Sequence, residues 1–179
     1  NAVLQVDAEI VLFLECDCLL VESQEEIERQ LREAAMYLRS GDVDMVRLNH
    51  LKQPGEEFST GKFTQYWPDE GMPDTPALKI KRMIRPGKAN RFIGRSCLVY
   101  ANPEEHYPHA IKRLDSGMLV IGSAFINWTN QAIMFRKAWF EETILPFAES
   151  HISSRTVNGY PDLEKELNCG WWRQRRLLR

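Results

Sequence analysis

Two acidic side chains, Glu15 and Asp17, stand one residue apart directly after an apolar run, residues 10–14. Where a strand ends and the chain turns, carboxylates at positions i and i+2 can both reach one hard cation. Mg²⁺ or Mn²⁺ bound in this way keeps open coordination positions for the phosphate oxygens of a substrate. The same pair is also typical of a polar strand end that leads into a solvated turn, because acidic residues are mostly exposed. The predicted secondary structure around the pair is therefore needed to distinguish a metal site from an ordinary turn.

The apolar run predicts a strand over residues 9–15 that is buried on both faces. Strands of this kind are found inside mainly parallel sheets, and such sheets bind their ligands at the carboxyl ends of the strands. We therefore expect an α/β fold, with an open, mainly parallel sheet flanked by helices. Glu15 and Asp17 would then lie at the functional edge of that sheet.

A helix and a second strand follow the pair. Ser23 and Glu26 have the spacing of a capping box, and Gly41 has the position of a glycine just beyond a helix C-terminus. With apolar residues at helical spacing between them, these signals predict a helix over residues 24–39. A strand over residues 43–49 would complete a right-handed parallel crossover unit.

The rest of the chain carries weaker signals of the same kinds. Asn102 and Pro103 are typical of a helix start, and the acids after Pro161 are favourable in the first turn of a helix. The patterns predict strands at 91–100 and 132–135 and helices from 102 to about 115, at 136–148 and at 161–167.

Composition limits the classes of function. The 179 residues are 44% apolar and 27% charged, which is ordinary for a soluble globular protein. The net charge of −2 implies no general attraction to nucleic acid or to an anionic membrane. No apolar run approaches the roughly 20 residues that a bilayer span requires. The cysteines lack metal-ligand spacing and predict free thiols in a reducing compartment, which favours the cytoplasm; they are Cys16, Cys18, Cys97 and Cys169.

Three stretches occur in a characteristic order. The first, Val11–Asp17, is an apolar strand that ends in E-x-D. The second, Trp128–Phe140, combines a strand with an Arg that opens a helix. The third is Tyr160–Glu164, followed by the aromatic turn Gly170–Trp172. In this order they resemble the D-x-D motif, the acceptor-side segment and the E-D-x-[DE]-L motif of nucleotide-sugar glycosyltransferases of the GT-A fold, with Glu15 and Pro161 as departures. The similarity is closest to glycosyltransferase domains of large algal viruses and protists.

The resemblance implies metal-dependent transfer of a sugar from a nucleotide-sugar donor to a hydroxyl of a glycan or other acceptor, with inversion. Asp17, together with Glu15, would hold Mn²⁺ or Mg²⁺ against the donor diphosphate. From the net charge we expect no nucleic-acid partner, and no membrane segment is visible in the sequence.

The resemblance also implies roles on the acceptor side. Asp162 would be the general base, with Glu164 as its substitute; the alternative for Asp162 is helix capping. Trp128 would stack on the acceptor sugar and Asn130 would hydrogen-bond to it. The alternatives are a core tryptophan and a turn asparagine.

The resemblance covers nearly the whole chain and predicts that residues 1–179 are one partial catalytic domain, without the strands that grip the nucleotide. Two other functions stay open. Residues 13–23 are also similar to the D-x-D-G-T-L-V-x-S signature of haloacid-dehalogenase-type phosphatases, in which Glu15 would replace the nucleophilic Asp. The chain could also be a non-catalytic binding module derived from a glycosyltransferase domain.

Overall fold

The computed structural model describes residues 2–14, 20–48, 58–129, 132–157 and 159–174. The chain divides into two compact units. The first unit contains the described residues of Asn1–Leu48 and Trp128–Trp171, and the second contains those of Asn49–Asn127 and Trp172–Arg176.

Helices and strands alternate irregularly along both units. The α-helices are α1 (Ala2–Gln5), α2 (Gln24–Ser40), α3 (Phe58–Thr64), α4 (Pro76–Ile84), α5 (Pro86–Asn90), α6 (Pro103–His106), α7 (Lys137–Trp139), α8 (Leu145–Ser150), α9 (Leu163–Leu167) and α10 (Gly170–Arg173). The strands are β1 (Ile10–Phe13), β2 (Met45–Arg47), β3 (Ile111–Arg113), β4 (Leu119–Ile121), β5 (Ile133–Arg136), β6 (Thr156–Val157) and β7 (Tyr160–Pro161). Short 3₁₀ helices cover Ile93–Leu98 and Ser123–Phe125, and a π-helical turn, Phe140–Ile144, joins α7 to α8.

The expectation of an open, mainly parallel sheet is wrong. Among the described residues, the sheets have three, two and two strands, and every strand pair is antiparallel. In the three-stranded sheet the order is β1-β5-β2, so β5 lies between the two strands that α2 connects. β1 and β2 run in the same direction, because both are antiparallel to β5, but they do not pair with each other.

The burial of the sheet also differs from the prediction. Val11 is buried in β1, but Leu12 and Phe13 are 39% and 41% exposed. The strand that is buried along its length is β5, where Ile133, Met134 and Phe135 are all buried. β5 is the central strand of this sheet and pairs with a strand on each side, which favours its burial. Among the described strands, β1 pairs with β5 alone.

Helix α2 confirms the predicted helix within one residue. The Ser23 hydroxyl accepts a hydrogen bond from the Glu26 N–H at 3.3 Å, and Gly41 ends the helix at a φ of 79°. A positive φ is costly for residues with a Cβ and easy for glycine. The buried residues of α2 are Ala34 and Leu38, both with no exposed surface.

The second unit has its own core, which is largely aromatic. Phe63 is completely buried and meets the rings of Tyr100 and Tyr107 edge to face, with centroids 5.8 Å and 6.2 Å away. Burial raises the pKa of Tyr107 above its usual range, because a phenolate would lose its hydration there. Ile93, Ala110 and Ile111 complete this core.

Two predicted elements of the second unit are wrong. The region predicted as a strand at 91–100 is the 3₁₀ helix Ile93–Leu98. The helix predicted from 102 ends at His106, and the chain continues into the β3–β4 hairpin. Gly94 lies so close to its neighbours that an added Cβ would meet the Cβ of Ile126 at 2.9 Å.

A carboxylate–guanidinium pair joins α6 to β3. The Arg113 side chain donates two hydrogen bonds to the carboxylate of Glu104. These hydrogen bonds hold the pKa of Glu104 below its ordinary value, since they stabilise the ionised carboxylate.

No helix within the described ranges combines the length and apolar character needed to cross a membrane.

Candidate functional site

One edge of the three-stranded sheet, running across the strands, is formed by one end of each of the three strands. Phe13, the last residue of β1, and Arg47, the last residue of β2, both pair with Ile133, the first residue of β5. Beyond the ladder, the Leu48 N–H donates a 2.9 Å hydrogen bond to the Ala132 carbonyl. The carboxyl ends of β1 and β2 therefore meet the amino end of β5 at one edge.

Three of the predicted site residues lie outside the described residues: Glu15, Asp17 and Asn130. Their chain neighbours are described. Leu14 directly precedes Glu15, and Ala132 follows Asn130 by two positions. Both neighbours stand at the sheet edge just described, because each is one residue beyond the Phe13–Ile133 pair.

Arg47 adds a positive charge to this edge. In a sheet, directly paired residues share one face, so Phe13, Ile133 and Arg47 form one row across the three strands. Arg47 is half-buried. Sequence reasoning did not single it out. The signal that could have found it is a basic residue at the carboxyl end of a short strand.

Trp128 is part of the interior of the first unit. Its side chain is 2% exposed, which favours the alternative of a core tryptophan over a sugar-stacking surface. Its backbone is held by Asn168, which follows α9. The Asn168 Oδ1 accepts a 2.7 Å hydrogen bond from the Trp128 N–H, and the Asn168 Nδ2 donates to the Trp128 carbonyl at 3.0 Å.

The amide of Asn168 makes a third contact within its own helix. Its Nδ2 also donates to the Glu164 carbonyl at 2.8 Å. The two carbonyls and one N–H around this amide leave only one orientation in which every contact is favourable. Asn168 therefore fixes the chain at Trp128 to the helix that begins at Asp162. Sequence reasoning missed this residue; an Asn at the end of a predicted helix was the available signal.

Asp162 occupies the N-cap of α9. Its Oδ1 accepts a 3.1 Å hydrogen bond from the Lys165 N–H, which satisfies one of the free donors of the first turn. Its Oδ2 lies 3.3 Å from the Nε of Arg155. The β6–β7 hairpin produces this contact, because it returns the chain so that the Asp162 N–H donates to the Arg155 carbonyl at 2.8 Å.

The two partners of Asp162 differ in exposure. The side chain of Asp162 is 12% exposed, whereas that of Arg155 is 66% exposed. An ion pair with one solvated partner contributes little to stability and is easily broken. The predicted capping role of Asp162 is therefore observed, and Oδ2 is the oxygen whose partner can move away.

Glu164 follows in the first turn of α9 and is half-buried. Next to the helix, Phe147 of α8 stacks on Trp171 with ring centroids 4.1 Å apart. The aromatic turn that contains Trp171 and Trp172 is the helix α10.

The described residues contain no group of three or more His, Cys, Asp or Glu side chains that could hold a metal ion. The predicted ligands, Glu15 and Asp17, are not among those residues. Of the four cysteines, Cys97 and Cys169 are described, and both are free thiols.

Comparisons of the chain with protein-family models, with curated proteins and with solved structures found no match.

Proposed function

We propose that the chain is the catalytic part of a metal-dependent glycosyltransferase, which moves a sugar from a nucleotide-sugar donor to an acceptor hydroxyl with inversion. The observation that carries the proposal is the register of the three-stranded sheet. It brings Leu14, which directly precedes Glu15, to the same edge as Ala132, which follows Asn130 by two positions. Leu14 and Ala132, which border two of the motifs, are more than 100 positions apart in sequence, and their shared place at this edge supports a common donor and acceptor site.

The donor side of the proposal rests on oxygen ligands and positive charge. Glu15 and Asp17 would hold Mn²⁺ or Mg²⁺, because hard divalent cations prefer carboxylate oxygens. The bound ion would neutralise negative charge on the donor diphosphate as the glycosidic bond breaks. Arg47 would act on the same charge as a fixed cation at the end of β2.

The acceptor side rests on Asp162. The acceptor oxygen would form a bond to the anomeric carbon, and the bond from that carbon to the diphosphate would break, with its electron pair leaving on the nucleotide. The proton of the hydroxyl would pass to Oδ2 of Asp162, after Arg155 has moved away. Oδ1 would stay with the Lys165 N–H and keep the carboxylate oriented.

The geometry gives a sharp test of this role, because Asn is as good an N-cap as Asp but is no base. We would measure Mn²⁺-dependent release of nucleoside diphosphate from a panel of nucleotide sugars, using the full-length protein and its variants Asp17→Ala and Asp162→Asn. We expect both variants to lose turnover. Asp162→Asn should keep the stability of the parent, and exposed Asp115→Asn serves as the matched control with full activity.

Other outcomes would change or remove the proposal. Loss of turnover in Glu164→Gln but not in Asp162→Asn would assign the base to Glu164. Hydrolysis of an aryl phosphate that depends on Glu15, without sugar transfer, would favour the phosphatase. A folded protein that binds nucleotide sugars without turning them over would be a binding module.

A further inference from the structure

Helix α4 turns its apolar side outward. Ile80, Met83 and Ile84 are 53%, 78% and 71% exposed, and no residue of the helix is buried. Residues at spacings of three and four lie on one face of a helix, so these three side chains form a single apolar stripe. Met72, four residues before the start of α4, is also exposed.

The opposite side of α4 is fixed by cations. Arg82 donates to the Tyr66 carbonyl at 2.8 Å and to Asp74 at 2.9 Å, and its guanidinium lies 4.5 Å from the centre of the Trp67 ring. Lys81 lies 4.9 Å from the centre of the Tyr66 ring. The helix is therefore held to the second unit by its polar side, and the stripe of Ile80, Met83 and Ile84 is left uncovered.

Positive charges predominate in and after α4, and the carboxylate just before the helix, Asp74, is paired with Arg82. Residues 75–95 carry seven Lys and Arg and no Asp or Glu, in a chain whose net charge is −2. Lys79, Arg85 and Lys88 are exposed within or just after α4. In the described part of the chain, Arg85 and Lys88 form no ion pair.

We propose that α4 binds the surface of an anionic lipid membrane. Ile80, Met83 and Ile84 would enter the boundary between headgroups and acyl chains, while Lys79, Arg85 and Lys88 meet the anionic headgroups. An interfacial helix combines an apolar stripe with flanking cations in this way. This proposal goes beyond the proposed glycosyl transfer and does not depend on it.

Two other occupants fit the surface less well. Nucleic acid would use the cations but gains nothing from an aliphatic stripe. A second copy of the chain, related by a two-fold axis, would place the same patch against itself and bring its cations face to face.

The test is co-sedimentation of the full chain with vesicles of phosphatidylcholine, with and without roughly one third phosphatidylserine. We expect binding to the anionic vesicles only, weakening as salt is added. The variant Lys79→Gln/Arg85→Gln/Lys88→Gln should bind on the order of 100-fold more weakly. The variant Ile80→Gln/Met83→Gln/Ile84→Gln should lose at least about 10-fold, although it keeps every cation.

A matched control separates position from composition. Ile152 and Lys112 are also exposed but lie elsewhere in the chain, so Ile152→Gln/Lys112→Gln should bind like the parent. Circular dichroism should show that all variants fold, since Gln is a good helix former and the replaced side chains are exposed.

Three results would overturn the proposal. The first is no binding to anionic vesicles by the folded parent. The second is binding that the apolar variant retains in full, because charge alone would then explain it. The third is evidence for a different occupant of the surface. That evidence would be tight binding to poly-uridine or poly-glutamate without vesicle binding, or a dimer in analytical ultracentrifugation that the apolar variant abolishes.

Discussion

Replacing Asn168 by Ala would remove a side chain that fixes the Trp128 segment to α9. Three hydrogen bonds would be lost, to the Trp128 N–H, the Trp128 carbonyl and the Glu164 carbonyl. The two Trp128 groups belong to a residue with a buried side chain, so water replaces the lost amide poorly. The Glu164 carbonyl loses less, because it also accepts from the Asn168 N–H at 3.2 Å.

The magnitude follows from these contacts. A hydrogen bond contributes about 1 kcal/mol net, and a buried group left without a partner costs about 1–3 kcal/mol. Two fully lost contacts and one weakened contact give a decrease of about 2–6 kcal/mol in the free energy of unfolding of the first unit.

Asn168→Asp makes a stricter test of the same contacts. The new carboxylate can still accept from the Trp128 N–H, but it places an oxygen against the carbonyls of Trp128 and Glu164. That environment raises the folded-state pKa of the carboxyl above its unfolded value of about 3.9. The protonated form is therefore favoured by folding, and its stabilising effect is present at low pH and lost as the pH rises through the raised pKa. We expect this variant to be closer to the parent at pH 4 than at pH 7.

Hydrogen exchange read by mass spectrometry suits this test, because a chain with two compact units need not unfold in one step. Peptides that contain Trp128 and α9 should lose protection in Asn168→Ala, while peptides of α4 keep it. Exposed Asn90→Ala is the matched control and should change stability by less than about 0.5 kcal/mol. Protection of the Trp128 peptides that stays within this limit in Asn168→Ala would refute the reasoning.

Three further predictions concern the two cores and one ion pair. Phe135→Ala in the central strand should lower the free energy of unfolding by about 3–5 kcal/mol. Phe13 is 41% exposed, so Phe13→Ala should lower it much less. Equal losses in urea unfolding would contradict the assigned strand order. Gly94→Ala should destabilise by about 1–3 kcal/mol through its clash, while Gly61→Ala, in open space within α3, should stabilise by about 0.5–1 kcal/mol, as melting temperatures will show. The lowered pKa of Glu104 means that its ion pair stabilises the fold above the unfolded pKa of about 4.3 and that this stabilisation is lost as the pH falls through the folded value. Glu104→Gln should therefore flatten the acid limb of stability against pH, and an unchanged limb would count against the pair.

Local signals predicted the elements that depend on neighbouring residues alone. Helix α2 has its cap, its periodicity and its terminal glycine within one segment, and it matches the prediction within one residue. α4 has the same kind of local cap, because the hydroxyl of its N-cap residue, Thr75, accepts a hydrogen bond from the Leu78 N–H. Such contacts span a few residues, so the sequence pattern contains them completely.

Pairing between distant strands could not be predicted in the same way. The apolar runs of β1 and β5 have the same periodicity, yet all three apolar residues of β5 are buried and half of β1 is exposed. The difference comes from which strand lies between two others, and the paired residues that decide it are 86 to 126 positions apart. An apolar run reports that a strand can be buried and does not report its place in the sheet.

The site residues were predicted only where their roles depend on contacts between neighbouring residues. The N-cap role of Asp162 depends on Lys165, three residues away, and was recognised as an alternative. The Asn168–Trp128 contact joins residues 40 positions apart, so no local sequence pattern predicts it. Arg47 was missed because its place beside Ile133 follows only from the observed strand order.

The correction of the sheet leaves one premise of the proposed function intact. A shared site at a sheet edge needs the carboxyl ends of two strands on the same side, and it does not need those strands to pair. β1 and β2 meet this condition because each is antiparallel to β5. The intervening strand adds something that a parallel neighbour would not, since its amino end, with Ala132 just before it, lies at that same edge. Under the proposed function, the segments after β1 and before β5 would reach one substrate from the same edge because β5 runs in this direction.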